Sequence, residues 1–207
     1  MSSKESLPLT LRNQPIQARA TERIESLMDA AAAAIDDGGY ETLTTQVIAE
    51  RAGASIGTVY RYFPDRLAVI RGLAQRNTER LMGQIEAVFE QQLPDWQLYL
   101  RGIIDVFANL LRSEPGFRHV RTGDHIQKGD GVRQQRVVDE IVDMLWDRYS
   151  TQFGVEDNSG NRESIRVGAV LAIGLTYNAF TTVPTGDNSL LNAARRHSEI
   201  ETSAAFS

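Results

Sequence analysis

Residues 44–66, TTQVIAERAGASIGTVYRYFPDR, constrain the fold more than any other stretch of the chain, because their small residues and polar caps describe a helix-turn-helix. Two short helices cross steeply only where a crossing side chain is small, which suits Ala49. The turn between them needs a residue at positive φ, which suits Gly53. Val59 then belongs to the inner face of the second helix, opposite Ile48 and Ala52. The outer face of that helix carries Ser55, Gly57, Thr58, Tyr60, Arg61 and Tyr62. Small residues, hydroxyls and an Arg on one exposed face suit a DNA major groove. A helix pair with a Gly turn also serves simply to turn a corner in an α-helical protein.

The remaining sequence is helical in pattern. Ile24, Leu27, Met28, Ala31 and Ile35 recur at i, i+3, i+4, i+7 and i+11, ending at Gly38-Gly39. Thr44 and Ser55 are N-cap candidates for the next two helices, and Asp65 for a long helix running to about Gln92. Pro94-Asp95 restarts the pattern through Leu111, and Ser113-Glu114-Pro115-Gly116 stops it. A short piece at 117–122, a helix marked by Val137 to Tyr149, one from about Arg162 to Thr182 and a last from Asn188 to about Ala205 complete the chain. No β-alternating run occurs. The expectation is an all-α protein of about nine helices: residues 1–16 as a flexible arm, 17–65 as the helix-turn-helix domain, and 66–207 as a larger helical domain.

Composition narrows the classes. The 207 residues contain no Cys, which excludes disulfides, zinc fingers and thiol chemistry. The N-terminus lacks an apolar run and VGAVLAIGL at 167–175 is too short to span a bilayer, so a cytoplasmic protein with no membrane partner is expected. The net charge of −5 arises wholly beyond residue 80, where twelve Lys/Arg face seventeen Asp/Glu; residues 1–80 hold ten of each. Screening limits a charge's reach to roughly 8–10 Å, so an acidic body does not exclude a DNA-reading head. Arg12, Arg19, Arg23, Arg61 and Arg66 are the cations that could gather there.

The segment from Ala18 to Ile70 resembles the DNA-binding domain of the TetR family of bacterial transcriptional regulators. The resemblance rests on Gly39-Tyr40, Thr44-Thr45, Ile48-Ala49, Ala52-Gly53, Gly57-Thr58-Val59-Tyr60 and Tyr62-Phe63, with Arg66 where the family usually has Lys. It implies an all-α homodimer with two DNA-reading heads and a C-terminal domain that binds a small-molecule inducer and supplies the dimer interface. The implied activity is ligand-responsive repression at a palindromic operator in double-stranded DNA. A transcriptional activator or architectural DNA binder on the same fold is the alternative. An all-α enzyme with an incidental helix-turn-helix is the remote one, since no nucleophile-base pairing or phosphate loop is visible; neither a cofactor nor a metal is expected.

Individual roles follow. Thr45, Thr58, Tyr60, Tyr62 and Arg66 are phosphate candidates. Thr45 could instead serve only as a cap, and the ring of Tyr62 could tuck against the core. Base reading falls to Ser55, Ile56 and Gly57, with Gln46 toward adenine and Arg61 toward guanine or only phosphate. Phe107, Trp146, Tyr149 and Tyr177 are candidates to line a ligand cavity, against ordinary core packing. Gly168, Ala169, Leu171, Ala172, Leu175 and Leu191, with Gly174, suggest a two-helix share of a four-helix dimer seam, against packing within one chain. His119, Asp124 and His125 sit near a helix break but lack metal-ligand spacing.

Overall fold

The computed structural model describes residues 14–120 and 130–207, all helix, turn and loop. Eight α-helices run α1 (Gln14–Gly38), α2 (Thr45–Arg51), α3 (Ile56–Tyr62), α4 (Arg66–Phe89), α5 (Trp96–Ser113), α6 (Asp130–Phe153), α7 (Ser159–Ala179) and α8 (Asn188–Ser203). Short 3-10 turns occupy Tyr40–Thr42 and Ala204–Phe206. The expected ninth helix, the piece at 117–122, is a turn as far as the described residues go. There Gly116 accepts from His119 N at 3.2 Å and Val120 N at 2.8 Å, and Pro115 prevents continuation from α5. The arm expected over 1–16 lies mostly outside the described residues, and α1 already includes Gln14.

The chain divides into two compact units, one ending at Val69 and one spanning Ile70–Ser207. In the first, α1 packs on α2 and α2 on α3. Leu27, Ala31 and Ile35 from α1, Leu43, Ile48 from α2 and Val59 from α3 are fully buried, as the apolar spacing requires. Local chemistry sets the helix ends. Thr44 Oγ1 accepts from Val47 N at 3.1 Å, Ser55 Oγ from Thr58 N at 3.1 Å, and Asp65 Oδ1 from Ala68 N at 2.7 Å. Each satisfies an amide that the first helical turn leaves open.

In the second unit, α7 makes its most extensive contact with α8 and also packs on α5 and α6. Ile85, Tyr99, Leu100, Ile103, Leu145, Tyr149 and Ile165 form its fully buried centre. The α7–α8 contact is close because Gly168 has no side chain: a Cβ there would lie 2.0 Å from Thr202 Oγ1 and 2.9 Å from Ser198 O. Helix α7 begins before the expected Arg162, since Asn158 Oδ1 accepts from Asn161 N at 2.8 Å. Asp187 Oδ1 likewise caps α8 through Ser189 N at 2.7 Å.

Candidate nucleic-acid interface

The turn between α2 and α3 decides what α3 presents. Gly53 has φ +56°, its N–H donates to Glu50 O at 3.3 Å, and Ala54 N donates to Ala49 O at 2.9 Å. This pair of bonds is a Schellman stop, which closes α2 and reverses the chain into the Ser55 cap. With Val59 as the buried anchor, the opposite side of α3 faces solvent.

Among the described residues the exposed large hydrophobics are Ile56 (45%), Tyr60 (52%), Val170 (44%) and Ile200 (57%). Two of these four lie on the seven-residue α3, a density that ordinary surface composition does not supply. Ser55, Gly57 and Arg61 are exposed beside them, and Thr58 and Tyr62 are half-buried. The hydroxyls come in pairs. Ser55 Oγ and Thr58 Oγ1 are 2.9 Å apart, and Thr45 Oγ1 donates to the Tyr60 hydroxyl at 3.4 Å across the two helices. Thr45 is the first residue of α2 and Thr44 is its cap. A Cβ on Gly57 would meet only Ser55 Oγ, at 3.8 Å, so the surface is open there.

Three positions have intramolecular partners that spacing alone does not reveal. Arg66 Nη2 donates to the Tyr40 carbonyl, which ties the start of α4 to the turn after α1. Gln46 Nε2 donates to Glu50 Oε1 at 3.0 Å, one helical turn along α2. The Arg61 guanidinium lies 5.5 Å from the Tyr62 ring centroid, a cation–π distance that holds both side chains on one surface. Of the other expected cations, Arg19 and Arg23 are exposed and Arg12 lies outside the described residues. Arg51, not singled out by the sequence, pairs with Asp37 at 2.8 Å and braces α2 against the end of α1.

In the second unit a cavity of about 210 Å³ is lined by Phe107 and Tyr177 together with aliphatic side chains of α4, α5, α6 and α7. Tyr149 and Trp146, expected beside them, are not on that lining. Tyr149 is fully buried in a ring cluster with Trp96, Tyr99, Phe153 and Phe206, and its hydroxyl donates to Trp96 O at 3.0 Å. Burial holds the Tyr149 phenol well above the usual tyrosine range, because a phenolate there would lose its hydration. Trp146 is half-buried, with the Arg162 guanidinium over its ring at 4.1 Å. The same guanidinium donates to Asp157 at 2.8 and 3.1 Å and holds that carboxyl below the usual range.

Of the expected seam residues, Gly168, Ala169, Ala172 and Leu191 are buried within the single chain, and Leu171 and Leu175 are half-buried. The apolar groups that α7 and α8 leave in solvent are Val170 and Ile200. His119 is exposed on the turn after α5; Asp124 and His125 lie outside the described residues. No described helix is long and apolar enough to cross a membrane.

The first unit is thus a helix-turn-helix with an uncovered second helix, followed by a larger helical unit. Residues 27–73 match the family model described as bacterial regulatory proteins, tetR family. Over 60 residues, 29% of this chain and 28% of the relative, the sequence is 38% identical to the HTH-type transcriptional repressor KstR of Rhodococcus jostii. The chain thus matches little more than a quarter of that repressor's length. It is also 24% identical to the HTH-type transcriptional activator FasR of Mycolicibacterium smegmatis over 151 residues, 72% of this chain and 68% of that one. A solved TetR-family transcriptional regulator from Streptomyces coelicolor superposes with a TM-score of 0.71 and 27% identity, covering 91% of this chain and all of the other. Residues 27–73 thus carry the sequence signature of the TetR family, and the chain as a whole is similar in fold to a TetR-family regulator.

Proposed function

We propose that this protein is a DNA-binding transcriptional regulator, a dimeric repressor that occupies a palindromic operator and responds to a small molecule. The observation that carries the reading is the outer surface of α3. Ile56 and Tyr60 are held in water there beside paired hydroxyls and Arg61, an arrangement that a DNA groove rewards and an aqueous surface does not. Thr45 and Tyr60 are 15 residues apart in sequence, yet their hydroxyls sit close enough to share one phosphate oxygen. Ser55, Ile56 and Gly57 lead into the groove, with Ile56 suited to a thymine methyl. Thr58 and Tyr62 flank the same surface toward the backbone. Gln46 reads with the groups that Glu50 leaves free, and the remaining N–H groups of Arg66 meet phosphate.

Pairing would use the solvent side of α7 and α8, through Val170, Ile200, Leu171 and Leu175. Gly168, Ala169, Ala172 and Leu191 support that surface from beneath by packing the two helices closely. Two copies so joined engage half-sites about one helical turn apart, or a multiple of it. The inducer enters the cavity at Phe107 and Tyr177, and it releases DNA by binding better to the form whose heads are wrongly spaced.

The test is fluorescence anisotropy on the DNA upstream of the protein's own gene, with unrelated DNA as reference. Specific, strongly salt-dependent binding that Tyr60→Ala weakens supports the reading. Equal affinity for both DNAs, or indifference to Tyr60→Ala, overturns it. An activator on the same fold is the second reading, favoured by the likeness to FasR over most of the chain. A reporter assay in a deletion strain separates the two by the sign of the change.

A further inference from the structure

The cavity of the second unit has a chemistry of its own. It measures about 210 Å³, and among the described residues no charged side chain lines it. Ile85 from α4, Ile103 and Phe107 from α5, Ile141 from α6 and Tyr177 from α7 form an apolar wall that opens to solvent on one side. The aromatic wall is fixed. Phe107 lies 6.3 Å from the Tyr177 ring and 6.2 Å from Phe117, and the Tyr177 hydroxyl donates to Arg118 O at 3.1 Å. That donor is therefore committed to the protein. Among the described lining residues the polar side chain left is the Asn178 amide at the exposed mouth of the cavity, one of whose N–H groups donates to Gly174 O at 2.8 Å, leaving its carbonyl oxygen and second N–H for a ligand.

From this lining we infer that the cavity takes an uncharged, mostly apolar molecule with one hydroxyl- or amide-like group, on the order of ten non-hydrogen atoms. The size follows from comparison with an engineered apolar cavity of about 150 Å³ that accepts benzene. The charge follows from solvation. A carboxylate entering here would lose its water and gain no cationic partner from the described lining, whereas a hydroxyl loses little and meets Asn178. This inference rests on the proposed ligand-responsive regulator only for its biological use; the binding itself is a property of the protein alone.

Gly174 provides the control. It lines the cavity, and a Cβ there would meet nothing within 4 Å in the single chain, so a larger side chain meets no neighbour within the protomer; because Gly174 is also expected at the dimer seam, the variant's mass in solution is measured beside its dichroism. Gly83 on α4 is also open but is not on the lining. The experiment is calorimetric titration of the full chain with 1-octanol and with octanoate, which match in length and differ in charge. Octanol is expected to bind, and octanoate to bind roughly tenfold more weakly or worse. Gly174→Leu abolishes octanol binding while its circular dichroism stays unchanged, and Gly83→Leu binds octanol like the wild type. Octanoate binding as tightly as octanol, octanol binding retained in Gly174→Leu, or no octanol binding by the wild type each overturns the inference. Adding upstream DNA separates the two levels: octanol that binds without altering DNA affinity leaves the ligand class standing and removes ligand response from the proposed function.

Discussion

Replacing Gly53 isolates the turn on which the orientation of α3 depends. Its φ of +56° lies in the left-handed region, and a Cβ would meet nothing within 4 Å, so any cost of substitution comes from the backbone and not from a clash. An L-residue in that conformation costs about 1–2 kcal/mol. The stiffer unfolded chain of an Ala variant returns about 0.4–1 kcal/mol, leaving a net loss on the order of 1 kcal/mol for Gly53→Ala. Asn tolerates the left-handed region and should cost less; β-branched Val should cost more. In a unit of this size a loss of about 1 kcal/mol lowers the melting midpoint by about 4–8 °C.

The assay can separate the two units. Both tryptophans, Trp96 and Trp146, lie beyond Val69, so far-UV circular dichroism reports both units while tryptophan fluorescence reports only the second. The expected order is Gly, Asn, Ala, Val from most to least stable, with the dichroism change that fluorescence does not report moving and the fluorescence transition fixed. An Ala variant as stable as the wild type, or an Asn variant as damaged as Val, would refute the left-handed stop at the end of α2.

Two further outcomes follow from packing and burial. Gly168→Ala should lower the melting midpoint of the second unit, because the methyl meets the Ser198 carbonyl at 2.9 Å as well as Thr202 Oγ1. Overpacking of this kind costs about 1–3 kcal/mol, against roughly 1 kcal/mol regained in helix propensity, and a neutral result by differential scanning calorimetry would show that the α7–α8 contact is looser. Tyr149 titrates above its unfolded range, so its stabilising contribution is complete below the unfolded tyrosine pKa near 10 and is lost as pH rises beyond it. Alkaline unfolding followed by dichroism should therefore be less steep in Tyr149→Phe; an unchanged slope would mean that this phenol ionises freely in the folded protein.

How much of this was legible in the sequence depended on the distance over which each cause acts. Thr44, Ser55 and Asp65 cap helices through amides three residues on, and Gly53 closes α2 through bonds to Glu50 and Ala49. All of these are local events that residue types announce. The apolar stripes likewise identified which faces are buried. Spacing could not show that Arg66 reaches the Tyr40 carbonyl 26 residues back, or that Thr45 and Tyr60 meet.

The cavity was partly visible. Phe107 and Tyr177 lay on expected inner faces, but so did Tyr149, and a period of 3.6 gives a face without saying where packing leaves a void. Gly168 fits a dimer seam or packing within one chain equally well by spacing; the helix it admits so closely is α8 of its own chain. Asn158 is the local signal for the start of α7 that the apolar pattern from about Arg162 does not include, a cap residue three positions before Asn161.

The account's central claim is that two copies of α3 lie in successive major grooves. Methylation protection of guanine N7, which opens on the major groove, examines that claim most directly on whichever upstream fragment binds. Two protected patches centred about 10 base pairs apart, or a multiple of it, both weakened by Tyr60→Ala, are predicted. Protection confined to adenine N3 in the minor groove, or a single patch without a symmetric partner, would contradict it.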